Sequence, residues 1–226
     1  MSETIVIKMD SILRSGVFLS DLQGIRSGED WVVQTDRGLE LGIVSDIRPC
    51  CRMSHPLKPT HRLLRRATEV DRRMHRSHID HEAETLQGVQ ECVDHHKLKM
   101  KLVKAEYVLD GSRLYIYYTA DGRVDFRELL KTLASRFHCR IEMRQIGTRD
   151  AARILGGIGI CGQRICCSQF LRDFERVSLR TSKRNACCPD PSRLTGICGK
   201  LRCCYAFEEQ SLVSIGAPLK EWRTNH

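Results

Sequence analysis

Short apolar runs broken by glycine open the chain. Ile5-Val6-Ile7, Phe18-Leu19, Trp31-Val32-Val33 and Ile43-Val44 read as β-strands, with Gly16, Gly24, Gly28 and Gly38 punctuating them. Arg37-Gly38 lies between two of these runs and predicts a hairpin turn. Short strands at this spacing predict a small β-barrel over residues 1–50. Pro49, Pro56 and Pro59 then mark a connector that runs through 51–65. From about residue 66 the period lengthens. Ala67, Val70 and Met74, then Ile79, Ala83, Leu86, Val89 and Val93, recur at helical spacing. Val103, Ala105, Tyr107 and Leu109 alternate as a strand, Asp110-Gly111 makes the turn, and Leu114 to Ala120 returns as a second strand. Phe126, Leu129, Leu130, Leu133, Ala134 and Phe137 form one apolar helix face. Asp125 and Glu128 have capping-box spacing at its start. Residues 139–147 predict a last strand, and a short helix ends at Leu155. The order αββαβ over 66–155 predicts a small sheet covered on one side by two helices, as in ferredoxin-like α+β folds. A cysteine-rich segment, 156–207, and a less patterned tail, 208–226, complete the chain.

Composition adds limits. The chain of 226 residues is 41% hydrophobic and 29% charged, ordinary for a globular protein and enough for one large or two small cores. Its formal net charge of +9 suits an acidic surface or nucleic acid as partner, and equally suits solubility alone. Met1–Asp10 carries no secretory pattern, and no apolar stretch has the length of a membrane span. With twelve cysteines and no export signal, the expected setting is a reduced cytoplasm. There, cysteine clusters point to metal or redox chemistry before disulfides.

One phrase occurs twice. Residues 160–167 read Ile-Cys-Gly-Gln-Arg-Ile-Cys-Cys, and 197–204 read Ile-Cys-Gly-Lys-Leu-Arg-Cys-Cys. Each is C-G-x-x-x-C-C, with glycines just before it. The copies supply Cys161, Cys166 and Cys167, then Cys198, Cys203 and Cys204. Thiolates so spaced can reach one soft metal ion or one cluster. One thiol from each end of each phrase (Cys161, Cys166, Cys198, Cys203) makes a Cys₄ set for zinc or a four-iron cluster. Cys167 and Cys204 are alternates, supporting groups or ligands to another centre. Adjacent cysteines make poor disulfides. Cys187-Cys188 are either extra ligands or part of a tight turn before a proline. Cys50-Cys51 lie in the connector, while Cys92 and Cys139 sit in apolar patterns that suit buried thiols.

Other candidates are weaker chemically. His75, His78 and His81 lie three apart on the long helix and read first as a solvated polar face. Arg62, Arg65, Arg66, Arg72, Arg73 and Arg76 form a basic stretch that could follow a phosphate backbone or dock an acidic protein. Tyr115, Tyr117 and Tyr118 are the nearest approach to base-stacking groups, and sheet packing explains them as well. No nucleophile–histidine–acid arrangement, P-loop or dinucleotide fingerprint is present.

Several of these motifs together carry a family resemblance. Thr119-Ala-Asp-Gly-Arg-Val-Asp-Phe-Arg-Glu-Leu129, Ile141-Glu-Met-Arg-Gln-Ile-Gly147 with Arg149-Asp150, and Gly156-Gly-Ile-Gly-Ile-Cys-Gly162 with Cys166-Cys167-Ser168 resemble the bacterial YaaT/RicT proteins. Gly196-Ile-Cys-Gly199 with Cys203-Cys204 and Thr35-Asp-Arg-Gly-Leu-Glu-Leu-Gly42 are similar too, so the likeness runs from about residue 5 to 205. These sporulation-type proteins share a conserved domain with a yeast suppressor of polymerase mutations. The resemblance implies a cytoplasmic, non-enzymatic regulator that works with small helical partners of the YlbF and YmcA types. It further implies a complex that carries four-iron (4Fe-4S) clusters and influences phosphorelays and messenger RNA maturation through an endoribonuclease. By motif position it makes Cys161, Cys166, Cys167, Cys198 and Cys203 ligands, with Cys204 a weaker candidate. Cys187-Cys188 and the histidine-rich helix depart from the family pattern.

The sequence thus predicts a regulatory or scaffold protein built on an iron–sulfur cluster. Two rivals from other classes are an RNA-binding module with a structural Cys₄ zinc and a thiol redox enzyme.

Overall fold

The computed structural model describes residues 3–9, 15–20, 24–49, 61–171, 174, 176–180, 182 and 194–214. It divides into two compact units, 1–145 and 146–226. The first holds two sheets. Strands β1 (Glu3–Met9), β2 (Ser15–Ser20), β3 (Asp30–Gln34), β4 (Leu39–Pro49) and β5 (Arg62–Arg66) form one antiparallel sheet in the order β2-β1-β4-β3-β5. The expected barrel is not closed. The sheet curls enough to stack Phe18 of β2 on His61 beside β5, with ring centroids 5.5 Å apart, yet β2 and β5 remain edge strands. Ile5, Ile7, Phe18, Trp31, Val33 and Val44 fill its concave side. The curl follows from the right-handed twist of neighbouring strands and from register shifts in β1 and β3, where the ladder bends. Residues 51–60 of the expected connector lie outside the described residues, and the rest of it is largely β5.

The αββαβ order holds over the second sheet. Helix α1 (Glu69–His95) leads to β6 (Lys101–Tyr107), β7 (Arg113–Thr119), α2 (Arg127–Phe137) and β8 (Arg140–Gln145). The pairing departs from a ferredoxin-like sheet. β8 lies directly beside β7 in parallel, so α2 is an unsplit crossover with no strand between the parallel pair. The hairpin to β6 occupies one edge of β7, which leaves β8 the other. Val89, Cys92 and Val93 of α1 and Leu129 and Leu133 of α2 cover one face, against Leu114, Ile116 and Tyr118. Burying each such side chain contributes roughly 1.5–3 kcal/mol. The first half of α1 is different: Val70, Met74 and Ile79 are exposed, so its helical period does not mark a buried face there.

Helix starts also differ from the spacing rule. Asp125 lies one residue before the N-cap of α2, Phe126, which makes no side-chain cap; its carboxylate accepts from the Arg127 N–H and guanidinium instead of forming a capping box with Glu128. The capping box sits at α1, where Thr68 accepts from the Asp71 N–H and Asp71 accepts from the Thr68 N–H at 2.7 Å. Asp71 also takes both arms of Arg65.

The other face of the second sheet meets the β3–β4 hairpin. Arg37, placed by sequence in a turn, is buried there at 2% exposure. It pairs with Glu40 at 3.0 Å and Glu106 at 2.9 Å, and lies 4.2 Å above the Tyr115 ring. Burial works against its charge, but the two carboxylates outweigh that and raise its pKa. The Tyr115 hydroxyl donates to the Arg37 carbonyl at 3.2 Å. Gly38, at φ +137°, lets the hairpin tip close on Val108. A Cβ there would stand 2.9 Å from a Val108 methyl.

Candidate functional site

Both cysteine phrases fold as the same small knuckle. In the first, Gly162 N–H donates to the Gly159 carbonyl at 3.0 Å and Gly159 N–H to Gln163 at 2.7 Å. In the second, Gly199 donates to Gly196 at 2.9 Å and Gly196 to Lys200 at 2.9 Å. Ile158 bridges Arg164, and Thr195 bridges Leu201. Gly162 at φ +78° and Gly199 at φ +74° take the left-handed position that a three-residue hairpin needs. Every matched pair is thirty-seven residues apart. Each knuckle then enters a helix at its cysteine pair: α4 (Cys166–Gln169) and α5 (Cys203–Ser214). The match extends past the cysteines to Phe170 and Phe207, whose rings pack at 5.1 Å.

The knuckles converge. A cavity of about 70 Å³ is lined by Cys161, Cys166 and Cys167 from one and by Cys198, Cys203 and Cys204 from the other. By the same measure one water needs about 10–15 Å³, so there is room for several atoms. The first thiol of each knuckle folds back on its own glycine. Cys161 Sγ lies 3.5 Å from where a Gly159 Cβ would be, and Cys198 Sγ 3.8 Å from that of Gly196. All six cysteines are free thiols, with Cys161 exposed and Cys167 buried. Among the described residues, no three His, Cys, Asp or Glu side chains already meet as a single-ion site.

Electrostatics links the two halves. Burial pushes the Cys166 thiol up, and the neighbouring Cys203 and Cys161 add to it. Burial likewise raises Cys167, with Cys203 and Cys198 adding. Cys204 is pushed up to about 11, mainly by burial, although Arg202 beside it pulls the other way. These thiols hold their protons at neutral pH, so a metal centre would displace them on binding. Arg202 is fixed by its bond to the Tyr205 hydroxyl at 3.1 Å and by stacking at 4.6 Å over that ring. Arg149 of α3 (Thr148–Leu155) donates to the Leu201 carbonyl at 3.1 Å, tying that helix to the second knuckle.

Residues 61–146 match the PSP1 C-terminal conserved region, and residues 176–215 match the third domain of PSP1-like proteins. The chain is 42% identical over 166 residues to the stage 0 sporulation protein YaaT of Bacillus subtilis strain 168. The chain belongs to the YaaT/PSP1 family. That alignment covers 74% of this family member and 60% of the Bacillus protein. An uncharacterized protein of Schizosaccharomyces pombe is 38% identical over 84 residues, 36% of this chain and 11% of the yeast protein. The chain thus spans less than two thirds of either relative. No solved structure matches it.

The remaining candidates of this YaaT/PSP1 chain fall elsewhere. Cys187-Cys188 and Cys50-Cys51 lie outside the described residues. Cys92 is buried and Cys139 half-buried, both against the core of the second sheet. Tyr115, Tyr117 and Tyr118 are buried at 1%, 7% and 3%, so these three offer no stacking platform to solvent. In the basic stretch, Arg65 holds Asp71, Arg66 pairs with Glu29, Arg72 with Asp30 and Arg73 with Glu69. Arg62 and Arg76 are exposed. His78 is half-buried against Tyr107, and His81 is exposed. Sequence reading missed Arg202 and the Phe170–Phe207 contact. Extending the repeat three residues beyond each cysteine pair would have found the phenylalanines.

Proposed function

We propose that this chain is a non-enzymatic regulatory or scaffold protein that holds a four-iron cluster between its twin knuckles. The observation that carries the proposal is the convergence of two identical C-G-x-x-x-C-C turns on one thiol-lined cavity. Six soft donors around a space for several atoms suit a cluster, in which each thiolate takes its own iron. Cys161, Cys166, Cys198 and Cys203 occupy matched places in the two knuckles and would be the ligands. Cys167 is the nearest substitute, facing Cys203 and Cys198. Cys204, engaged by Arg202, would support the site. When bound, the cluster would supply sensitivity to iron, oxygen and electron supply. The chain's own residues would hold it near the surface, since Cys161 is exposed.

Family membership extends the proposal to the working assembly. The Bacillus relative is named for stage 0 of sporulation. A role in signalling or messenger RNA maturation, through YlbF- or YmcA-type helical partners and an endoribonuclease, fits that family. Among the described residues no helix is long and apolar enough to cross a membrane.

Oxygen-free purification tests the centre. The expected product is brown and contains iron and acid-labile sulfide, and Cys161→Ser with Cys198→Ser loses both. Colourless protein with stoichiometric zinc would replace the cluster with a structural ion. Full iron and sulfide in the double variant would remove these two cysteines from the ligand set.

A further inference from the structure

A second cavity lies in the first unit, far along the sequence from the two cysteine knuckles. It is an open groove of about 390 Å³ between α1, the β6–β7 turn and the end of α2. That volume falls within the rough range of 300–1,000 Å³ of small-molecule sites. Tyr107, Phe137 and His78 contribute rings to its lining. His78 and Tyr107 pack at 5.4 Å, tilted by 36°. Gly111, at φ +67°, sits in the turn beside His78, whose Nε2 would lie in ordinary contact, 3.9 Å, with a Cβ there.

Two of the polar groups in the groove can accept, Glu84 and His81. Glu84 stands exposed on α1, within the lining. His81 places Nδ1 2.7 Å from the Ser77 carbonyl. A carbonyl can only accept, so Nδ1 carries the proton there, and in that tautomer Nε2 is an acceptor. His78 Nδ1 is buried without a hydrogen-bond partner. Such an atom is costly to bury until something satisfies it. Burial, with His75 and His81 nearby, pushes the His78 pKa down and favours its neutral ring. Arg136 is the one guanidinium in the lining, and it is already committed. It donates to the Gly88 carbonyl at 3.0 Å and pairs with Glu91 at 2.8 Å. The groove is therefore not built around a free cation, which argues against an anion as the recognised group.

Aromatic walls with a carboxylate at the edge call for a flat ring that carries adjacent N–H donors. Guanine has that edge: N1–H and the exocyclic amine lie side by side, and one carboxylate can accept from both. Adenine presents a donor beside an acceptor, and uracil a donor between carbonyls. We propose that this groove binds a guanine ring, with Glu84 accepting from its N1–H and amino group and the aromatic walls holding its faces. The ring can come from a free nucleotide or from an unpaired guanine in RNA.

The experiment uses the full chain with labelled histidines. It is titrated with guanosine monophosphate, inosine monophosphate, adenosine monophosphate and an unstructured RNA heptamer of uridines around one guanine. Guanosine monophosphate is expected to move the ring resonances of His78 and His81. Inosine monophosphate, which lacks the amine, is expected to bind roughly tenfold more weakly. Glu84→Gln, at an exposed position that leaves the fold intact, should erase that difference. Phe137→Leu should weaken both nucleotides together. Tighter binding of the heptamer assigns RNA as the source, and equal or weaker binding assigns the free nucleotide. No resonance change with any of these probes overturns the proposal, as does unchanged discrimination in Glu84→Gln.

Discussion

Arg37 shows what one side chain decides. Its guanidinium pairs with both Glu40 and Glu106 inside the interface between the two sheets. Arg37→Leu would leave two carboxylates buried without a cation, at a cost of about 3–5 kcal/mol. Urea unfolding should show that loss; a change below about 1 kcal/mol would mean the pairs matter little. The position looked like a hairpin turn in sequence, and the turn is real. Its burial was not legible, because Glu106 lies 69 residues away. Asp71 gives a pH prediction of opposite visibility. Arg65, then the Thr68 hydroxyl and N–H, hold its carboxyl well below the ordinary carboxylate range. A depressed folded pKa stabilises the fold above the ordinary value and is lost as pH falls through the folded one. Stability should therefore drop on acidification below about pH 4, and Asp71→Asn should flatten that part of the curve.

At the level of elements, the knuckles make the sharpest prediction. A left-handed residue with a Cβ costs roughly 1–2 kcal/mol. Gly162→Ala and Gly199→Ala should each lower the melting temperature and, with the proposed cluster, the retention of iron, by similar amounts because the turns match. A large effect at one and none at the other would show that the halves are unequal in their work. These turns were readable beforehand, since the repeat, its glycines and its cysteines are all local in sequence. Helices α1 and α2 and the alternating strands were readable for the same reason. Strand β5 was not: Arg62-Leu-Leu-Arg-Arg66 has little alternation, and it gains its place by pairing with β3. The neighbour of β8 was also hidden. Parallel pairing is a choice between sheet edges, and no local pattern records it.

Across the whole chain, charge and chemistry concentrate together. The unit 146–226 carries thirteen Lys and Arg against seven Asp and Glu, so it holds most of the net charge of +9 and eight of the twelve cysteines. With the proposed cluster bound, calorimetry should resolve two unfolding transitions. Chelation under reducing conditions should lower only one of them, because ligand binding stabilises the unit that binds. A single transition that shifts as a whole would show that the units unfold together. The thirty-seven-residue duplication has a final consequence. A clasp with two like jaws lets go when either jaw is pulled, oxidised or cut. If the proposed cluster is what the jaws grip, damage on either side would read out as one event, without a record of where it fell.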